Sequence, residues 1–161
     1  MTLDVGTRLP EAALGRIGDN GPEQVALGPI LKGRKVVIFA VPGAYTPTCH
    51  SAHVPSFIRV IDGLRAKGID EVICLAVNDP FVMQSWGEAT GATAAGITML
   101  SDADGSFSRA IGMDFDAAAA GLYGRSKRYA MAAEDGVVTV WHPETGSGCE
   151  ISGGEAMVAA L

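Results

Sequence analysis

Cysteine is sparse in this chain. There are three, Cys49, Cys74 and Cys149, spaced 25 and 75 residues apart. An odd number at irregular spacing excludes a secreted disulfide framework, and the lack of any Cys-x-x-Cys pair removes the usual metal-ligand spacing. In a reducing compartment such cysteines are either inert or catalytic. Runs of like charge are missing too. A net charge of −6 with no block of five like charges argues against nucleic acid or an anionic membrane surface as the main partner. No apolar run approaches the roughly 20 residues that cross a bilayer. The start, Met1-Thr2-Leu3-Asp4, has no basic segment followed by an apolar one. A cytoplasmic protein without a membrane anchor is therefore expected. No internal repeat and no interdomain linker stands out. At 161 residues and 48% apolar composition, residues 1–161 are expected to form a single domain with its own core.

What is present begins with a Gly- and Pro-rich stretch, residues 1–34, in which Gly18-Asp19-Asn20-Gly21-Pro22 reads as a turn. A short hairpin around Ala13–Ile17 and Gln24–Leu27 fits either side of it. Lys35–Val41 is a continuous apolar run of strand length, suited to a strand covered on both faces. From Cys49 to Lys67, Val54, Phe57, Ile58, Ile61 and Leu64 recur at helical spacing, and Gly68 ends the run. Pro55 lies inside it and predicts a kink. Glu71–Val77 is the next strand. Asn78-Asp79-Pro80 then starts a helix to about Ala89, Ile97–Leu100 is a short strand, and Ser101-Asp102-Ala103-Asp104 caps a helix near Gly105–Ile111. Residues 114–126 read as a loop with a helical turn. Arg128–Ala133 and Val137–His142 form a hairpin through Glu134-Asp135-Gly136. A Gly-rich loop carries Cys149, and Glu155–Ala160 is a final helix. Strand–helix alternation followed by a hairpin implies an α/β fold. Its mixed central sheet has a parallel core, an antiparallel edge and helices on both faces.

The chemistry concentrates at Pro42-Gly43-Ala44-Tyr45-Thr46-Pro47-Thr48-Cys49, just after the buried strand. A cysteine placed where a helix begins meets unpaired N–H groups and a positive dipole end, which favour thiolate over thiol. The pattern Pro42-x-x-x-Thr46-x-x-Cys49 resembles the active-site signature of the peroxiredoxins. The full eight-residue string resembles their peroxiredoxin-5, or type II, subfamily. His53-Val54-Pro55-Ser56-Phe57, Val77 to Met83, Trp86-Gly87 and Arg125-Ser126-Lys127-Arg128-Tyr129 extend the likeness along nearly the whole chain. The resemblance implies a thioredoxin-like fold and a thiol peroxidase acting on hydrogen peroxide and organic hydroperoxides. It implies no metal, haem or flavin, because the sulfur itself cycles through sulfenic acid. Electrons would return from glutathione with glutaredoxin, or from thioredoxin. Members of this kind are commonly homodimers.

Each candidate residue has a plainer alternative. Cys49 is the expected nucleophile, against a buried inert thiol. Thr46 can donate to a peroxide oxygen, or can merely turn the chain. Pro42 can shield the sulfur from water, or be an ordinary turn proline. Arg128 starts a strand expected to run antiparallel to 35–41, which brings it to the Cys49 end of the sheet. There it can hold the thiolate and the leaving oxygen, and it matches the family's active-site arginine. Alternatively it joins Arg125 and Lys127 in a solvated basic cluster. His50 and His53 follow Cys49 by one and four residues; a structural or entrance role suits His53 better than a base. Trp86 and Phe81 read as core or dimer-surface aromatics. Cys74, mid-strand, reads as buried and inert, with a redox role held open by plant-like relatives. Cys149 is the possible resolving thiol, on an accessible loop expected near the active site; otherwise it is a surface thiol without a partner. Two other activities compete: a thiol–disulfide oxidoreductase, disfavoured by the missing Cys-x-x-Cys, and a non-enzymatic binding module on the same fold.

Overall fold

The computed structural model describes residues 2–161. Its centre is the apolar run of the sequence, strand β3 (Lys35–Val41). Alternate residues of that strand serve two different cores. Val37, Phe39 and Val41 enter one cluster, while Val36, Ile38 and Ala40 enter the other. That is why the run is apolar throughout rather than alternating. Strand β4 (Glu71–Ala76) pairs parallel to β3, and β5 (Ile97–Ser101) pairs parallel to β4. The hairpin β1 (Ala13–Gly18) and β2 (Gly21–Ala26) adds to the β5 edge. On the other side, β8 (Tyr129–Glu134) runs antiparallel to β3, and β9 (Val137–Pro143) antiparallel to β8. The order is β2-β1-β5-β4-β3-β8-β9, the mixed sheet expected. Asp135 and Gly136 both have positive φ, 50° and 77°, as the tight Asp-Gly turn between β8 and β9 requires.

Helices cover both faces. On one, Phe57 and Leu64 of α2 (Val54–Ala66), Trp86 of α3 (Pro80–Thr90), Ala92 of α4 (Ala92–Ala95) and Met157 of α6 (Gly154–Ala160) bury against Phe39 and Cys74. On the other lie α1 (Leu27–Leu31) and α5 (Ser106–Ala110), with Leu27, Leu31 and Phe107 in the core. The capping signals read from sequence are satisfied. Asp79 accepts from the Val82 N–H, and Asp102 accepts from the Phe107 and Ser108 N–H groups.

Three expectations need correction. Residues 114–126 are a second hairpin, β6 (Asp114–Ala117) and β7 (Leu122–Ser126), joined by a short 3₁₀ turn. In β6 the half-buried Phe115 and Ala117 alternate with exposed aspartates, but β7 breaks the alternation, so the period-2 signal is faint. The helix expected over Cys49–Lys67 starts at Pro47 and opens into a π turn over Cys49–His53 before α2 begins. Pro55 consequently falls in the first turn of α2, where a missing N–H costs little, and does not kink its interior. The short helices α1 and α4 carry too few residues to show a period in the sequence.

Cys74 pairs with Phe39 on one side and Met99 on the other, at the middle of the parallel core. Burial, with Cys49 next in effect, pushes its thiol well above the ordinary value. A thiol reagent applied to the native reduced protein should therefore modify Cys74 only as fast as the chain unfolds globally. Modification at the rate of a free thiol would contradict this placement.

Candidate active site

The sheet brings two distant segments to one end. Register pairs Ala40 with Tyr129, so Arg128 enters directly opposite the end of β3, where the 42–49 turn leaves. That turn is tied from several sides. The Thr46 N–H and hydroxyl both donate to the Gly43 carbonyl, at 3.3 and 2.7 Å. The Ala44 N–H donates to Asn78 at the β4–α3 junction, 3.0 Å. Arg125 Nη1 donates to the Pro42 carbonyl, 3.3 Å, and a Cβ on Gly43 would stand 2.8 Å from that nitrogen. Tyr45 is held at φ 65°, a strained conformation for a bulky residue. The chain then turns into the helix with Cys49 in its first turns, and the Val54 N–H returns to the Cys49 carbonyl across the wide π turn. Such turns concentrate at functional sites.

The wide turn leaves Cys49 and His53 facing the same guanidinium. Arg128 Nη2 donates to Cys49 Sγ at 3.1 Å, and Nη1 to His53 Nδ1 at 2.9 Å. His53 Nε2–H donates to the Ser152 carbonyl at 2.8 Å, so Nδ1 is the bare, accepting nitrogen. Burial, and then the charge of Arg128, push His53 down to about 3. It is a neutral strut with both nitrogens engaged, buried rather than at an entrance, and has no free nitrogen for a base. Arg128 is itself only 4% exposed. Among the described residues it makes no ion pair with a carboxylate. A buried cation without a carboxylate is costly. The group at hydrogen-bond distance that can become an anion is the Cys49 sulfur.

Beside this centre opens a cleft of about 790 Å³. Pro42, Thr46 and Arg128 line it, together with Met113, Phe115 and Leu122 from the second hairpin and its approach. Thr46 thus lies in the cleft, with its proton engaged by Gly43 and its lone pairs left to accept. Cys49 is fully buried behind Arg128. His50 takes no part; its Nδ1 accepts from the indole of buried Trp86 at 3.0 Å. Cys149 is half-buried rather than freely accessible, with Sγ 3.9 Å from the Ser152 hydroxyl. Burial pushes its thiol up, against the pull of Ser152 and Arg128.

The structure therefore gathers Pro42, Thr46, Cys49 and Arg128 at one place, with Cys149 close to the residue that supports His53. Sequence reasoning passed over Arg125, Ser152 and Glu144 as contributors and undervalued His53. The four-residue step from Cys49 to His53 was a usable signal for the histidine. Nothing local marked Glu144 or Ser152, which reach the site only through tertiary contacts.

Comparison with known proteins places these observations in a family. The redoxin family model matches residues 4–158. The chain is 43% identical to "Peroxiredoxin-2E-2, chloroplastic" of Oryza sativa subsp. japonica, over 99% of this chain and 73% of that one. It is 40% identical to "Peroxiredoxin-2C" of the same organism, over 98% and 97% of the two. Among solved structures, reduced Prx3 in complex with H2O2 from Vibrio vulnificus superposes with a TM-score of 0.92 at 43% identity, covering 99% of each chain.

The geometry yields a direct expectation for Arg128. Removing its side chain in Arg128→Ala should slow oxidation of Cys49 by one equivalent of hydrogen peroxide by about 10²–10³, the scale of losing one oxyanion donor. Arg128→Lys should recover only part of this, because one ammonium cannot reach sulfur and imidazole in the forked geometry. A stopped-flow oxidation rate that barely changes in Arg128→Ala would remove the arginine from the reaction.

Proposed function

The chain belongs to the redoxin family and is a peroxiredoxin, a thiol-dependent peroxidase working through a peroxidatic cysteine, and from that premise we propose the cycle its own residues carry out. Cys49 is the peroxidatic residue. Its thiolate attacks one oxygen of a hydroperoxide; the S–O bond forms as the O–O bond breaks, and the other oxygen leaves with a proton as water or alcohol. Cys49 is oxidised to sulfenic acid and the peroxide reduced by two electrons. Arg128 holds the sulfur and meets the negative charge that grows on the leaving oxygen. Thr46 accepts the hydrogen of the incoming hydroperoxide, and Pro42 keeps bulk water from the sulfur. The observation that carries this reading is the 3.1 Å contact between Arg128 Nη2 and Cys49 Sγ. Organic hydroperoxides fit alongside hydrogen peroxide because Met113, Phe115 and Leu122 give the cleft an apolar lining for an alkyl group.

Cys149 is the resolving thiol. Its thiol attacks the Cys49 sulfur, water leaves, and an intramolecular disulfide forms. A thiol donor, glutathione with glutaredoxin or else thioredoxin, then reduces that disulfide with two electrons. What supports this is the place of Cys149 beside Ser152, whose carbonyl is bonded to His53. The segment must move for the bond to form, because a disulfide needs Cα atoms within about 7 Å. The cycle needs no metal, haem or flavin. Three free thiols suit the reducing cytoplasm. The protein acts as a homodimer: Phe81, 61% exposed, and Tyr45, 49% exposed, are large apolar side chains left on the surface, and the Tyr45 hydroxyl bonds to Ser85, one turn from Phe81 on α3.

One equivalent of hydrogen peroxide added to the reduced protein, followed by mass spectrometry without reductant, tests this cycle. The expected product is a Cys49–Cys149 disulfide, a loss of about two mass units. Stable sulfenic acid on Cys49 with free Cys149 would make the protein a one-cysteine enzyme, and oxidation elsewhere would overturn the assignment of Cys49.

A further inference from the structure

We infer that Glu144 is a positioning residue for the Cys49 centre, closing a hydrogen-bonded ring that seats Arg128 on the sulfur and holding down the segment that carries Cys149. The ring can be followed bond by bond. The Glu144 N–H donates to the Arg128 carbonyl at 3.0 Å, which fixes the start of Glu144's turn against the arginine. One carboxylate oxygen, Oε2, accepts four hydrogen bonds: from the N–H groups of Glu150, Ile151 and Ser152, each at 2.8 Å, and from the Ser152 hydroxyl at 2.7 Å. The Ser152 carbonyl accepts from His53 Nε2 at 2.8 Å, and His53 Nδ1 accepts from Arg128 Nη1 at 2.9 Å. The circuit has four residues, 128, 144, 152 and 53, and returns to its origin. The two thiols hang from opposite members of it: Cys49 from Arg128 and Cys149 near Ser152.

Glu144 is the natural keystone. Burial opposes its charge, but the Ser152 hydroxyl and N–H, with the N–H groups of Glu150 and Ile151, outweigh burial and hold the carboxyl below its usual value. Three successive N–H groups converge on one oxygen, the arrangement that favours an anion. Residues 145–148 touch no such anchor and are exposed. Beyond the ring the chain is pinned again, because the Gly154 N–H donates to Ser56 Oγ at 2.9 Å and the same hydroxyl donates to the His53 carbonyl. The release of Cys149 is thereby confined to 144–152, and Glu144 is its fastening. Letting go of that segment also removes the carbonyl on which His53 is oriented. Loss of Glu144 should loosen both thiol environments at once, slowing the attack of Cys49 while exposing Cys149.

The Cys149 half of this inference rests on the proposed resolving role for its meaning, but its test does not. Two measurements avoid disulfide formation altogether. The oxidation rate of Cys49 is taken by stopped flow in a Cys149→Ser background, and the alkylation rate of Cys149 is taken on reduced protein without peroxide. Glu144→Ala should slow the first and speed the second, each by about tenfold or more, the scale of losing a charge-assisted hydrogen bond. Glu144→Gln keeps an acceptor oxygen without the charge and should recover part of both rates. If Glu144→Ala does not fold, Glu144→Gln alone carries the test, with both rates shifted several-fold in the same opposite directions. A glutamate that only braces the fold would lower the unfolding midpoint and leave both rates within about twofold of the parent; that result overturns the inference. Wild-type protein that forms no disulfide with peroxide, while these opposite shifts are present, would refute the resolving role and leave the positioning role standing.

Discussion

A guanidinium buried without a carboxylate is the constraint on which the site depends. Arg128 is held by its strand, by a sulfur and by a neutral imidazole, and among the described residues no acidic side chain pairs with it. Hydrogen bonds to a charged group contribute about 1.5–3 kcal/mol each. Stranding a buried charge costs about 3–5 kcal/mol. In the proposed cycle the partner of this cation is the charge that grows on the departing oxygen. A carboxylate beside Arg128 would have quenched that demand. The proposed reaction draws on an electrostatic vacancy that the fold keeps open.

The fold keeps it open by topology. Parallel pairing of β3 and β4 sends the 42–49 turn out at one end, and antiparallel pairing of β8 brings the start of that strand to the same end. Stacking then links core to chemistry: Phe39 lies 4.1 Å from Phe57, and His53 packs against both rings. The His53 ring therefore answers to the core on its faces and to the ring of hydrogen bonds on its edges.

Much of this was legible in the sequence because it is written in local signals. The apolar run 35–41, the Asp-Gly turn, the Asp79 and Asp102 caps and the string from Pro42 to Cys49 each carry their own physics. Arg128 was legible one step further, from antiparallel pairing. What escaped was carried by weak or tertiary signals. The 114–126 hairpin has too little apolar alternation to announce itself, although it lines the cleft. The π turn leaves no mark in residue type. Glu144 and Ser152 lie in a Gly-rich stretch that reads as a mobile loop. Four hydrogen bonds to one carboxylate oxygen fasten it instead, and backbone N–H groups supply three of them. A sequence shows side chains; it does not show where backbone donors converge.

The account stands or falls on Cys49 as the sulfur that meets peroxide under the hand of Arg128. The most direct measurement is steady-state peroxide consumption, with a saturating thiol donor, by Cys49→Ser protein whose circular dichroism and unfolding midpoint match wild type. The account predicts that turnover disappears while the fold remains. Peroxide turnover persisting in a well-folded Cys49→Ser protein would contradict it.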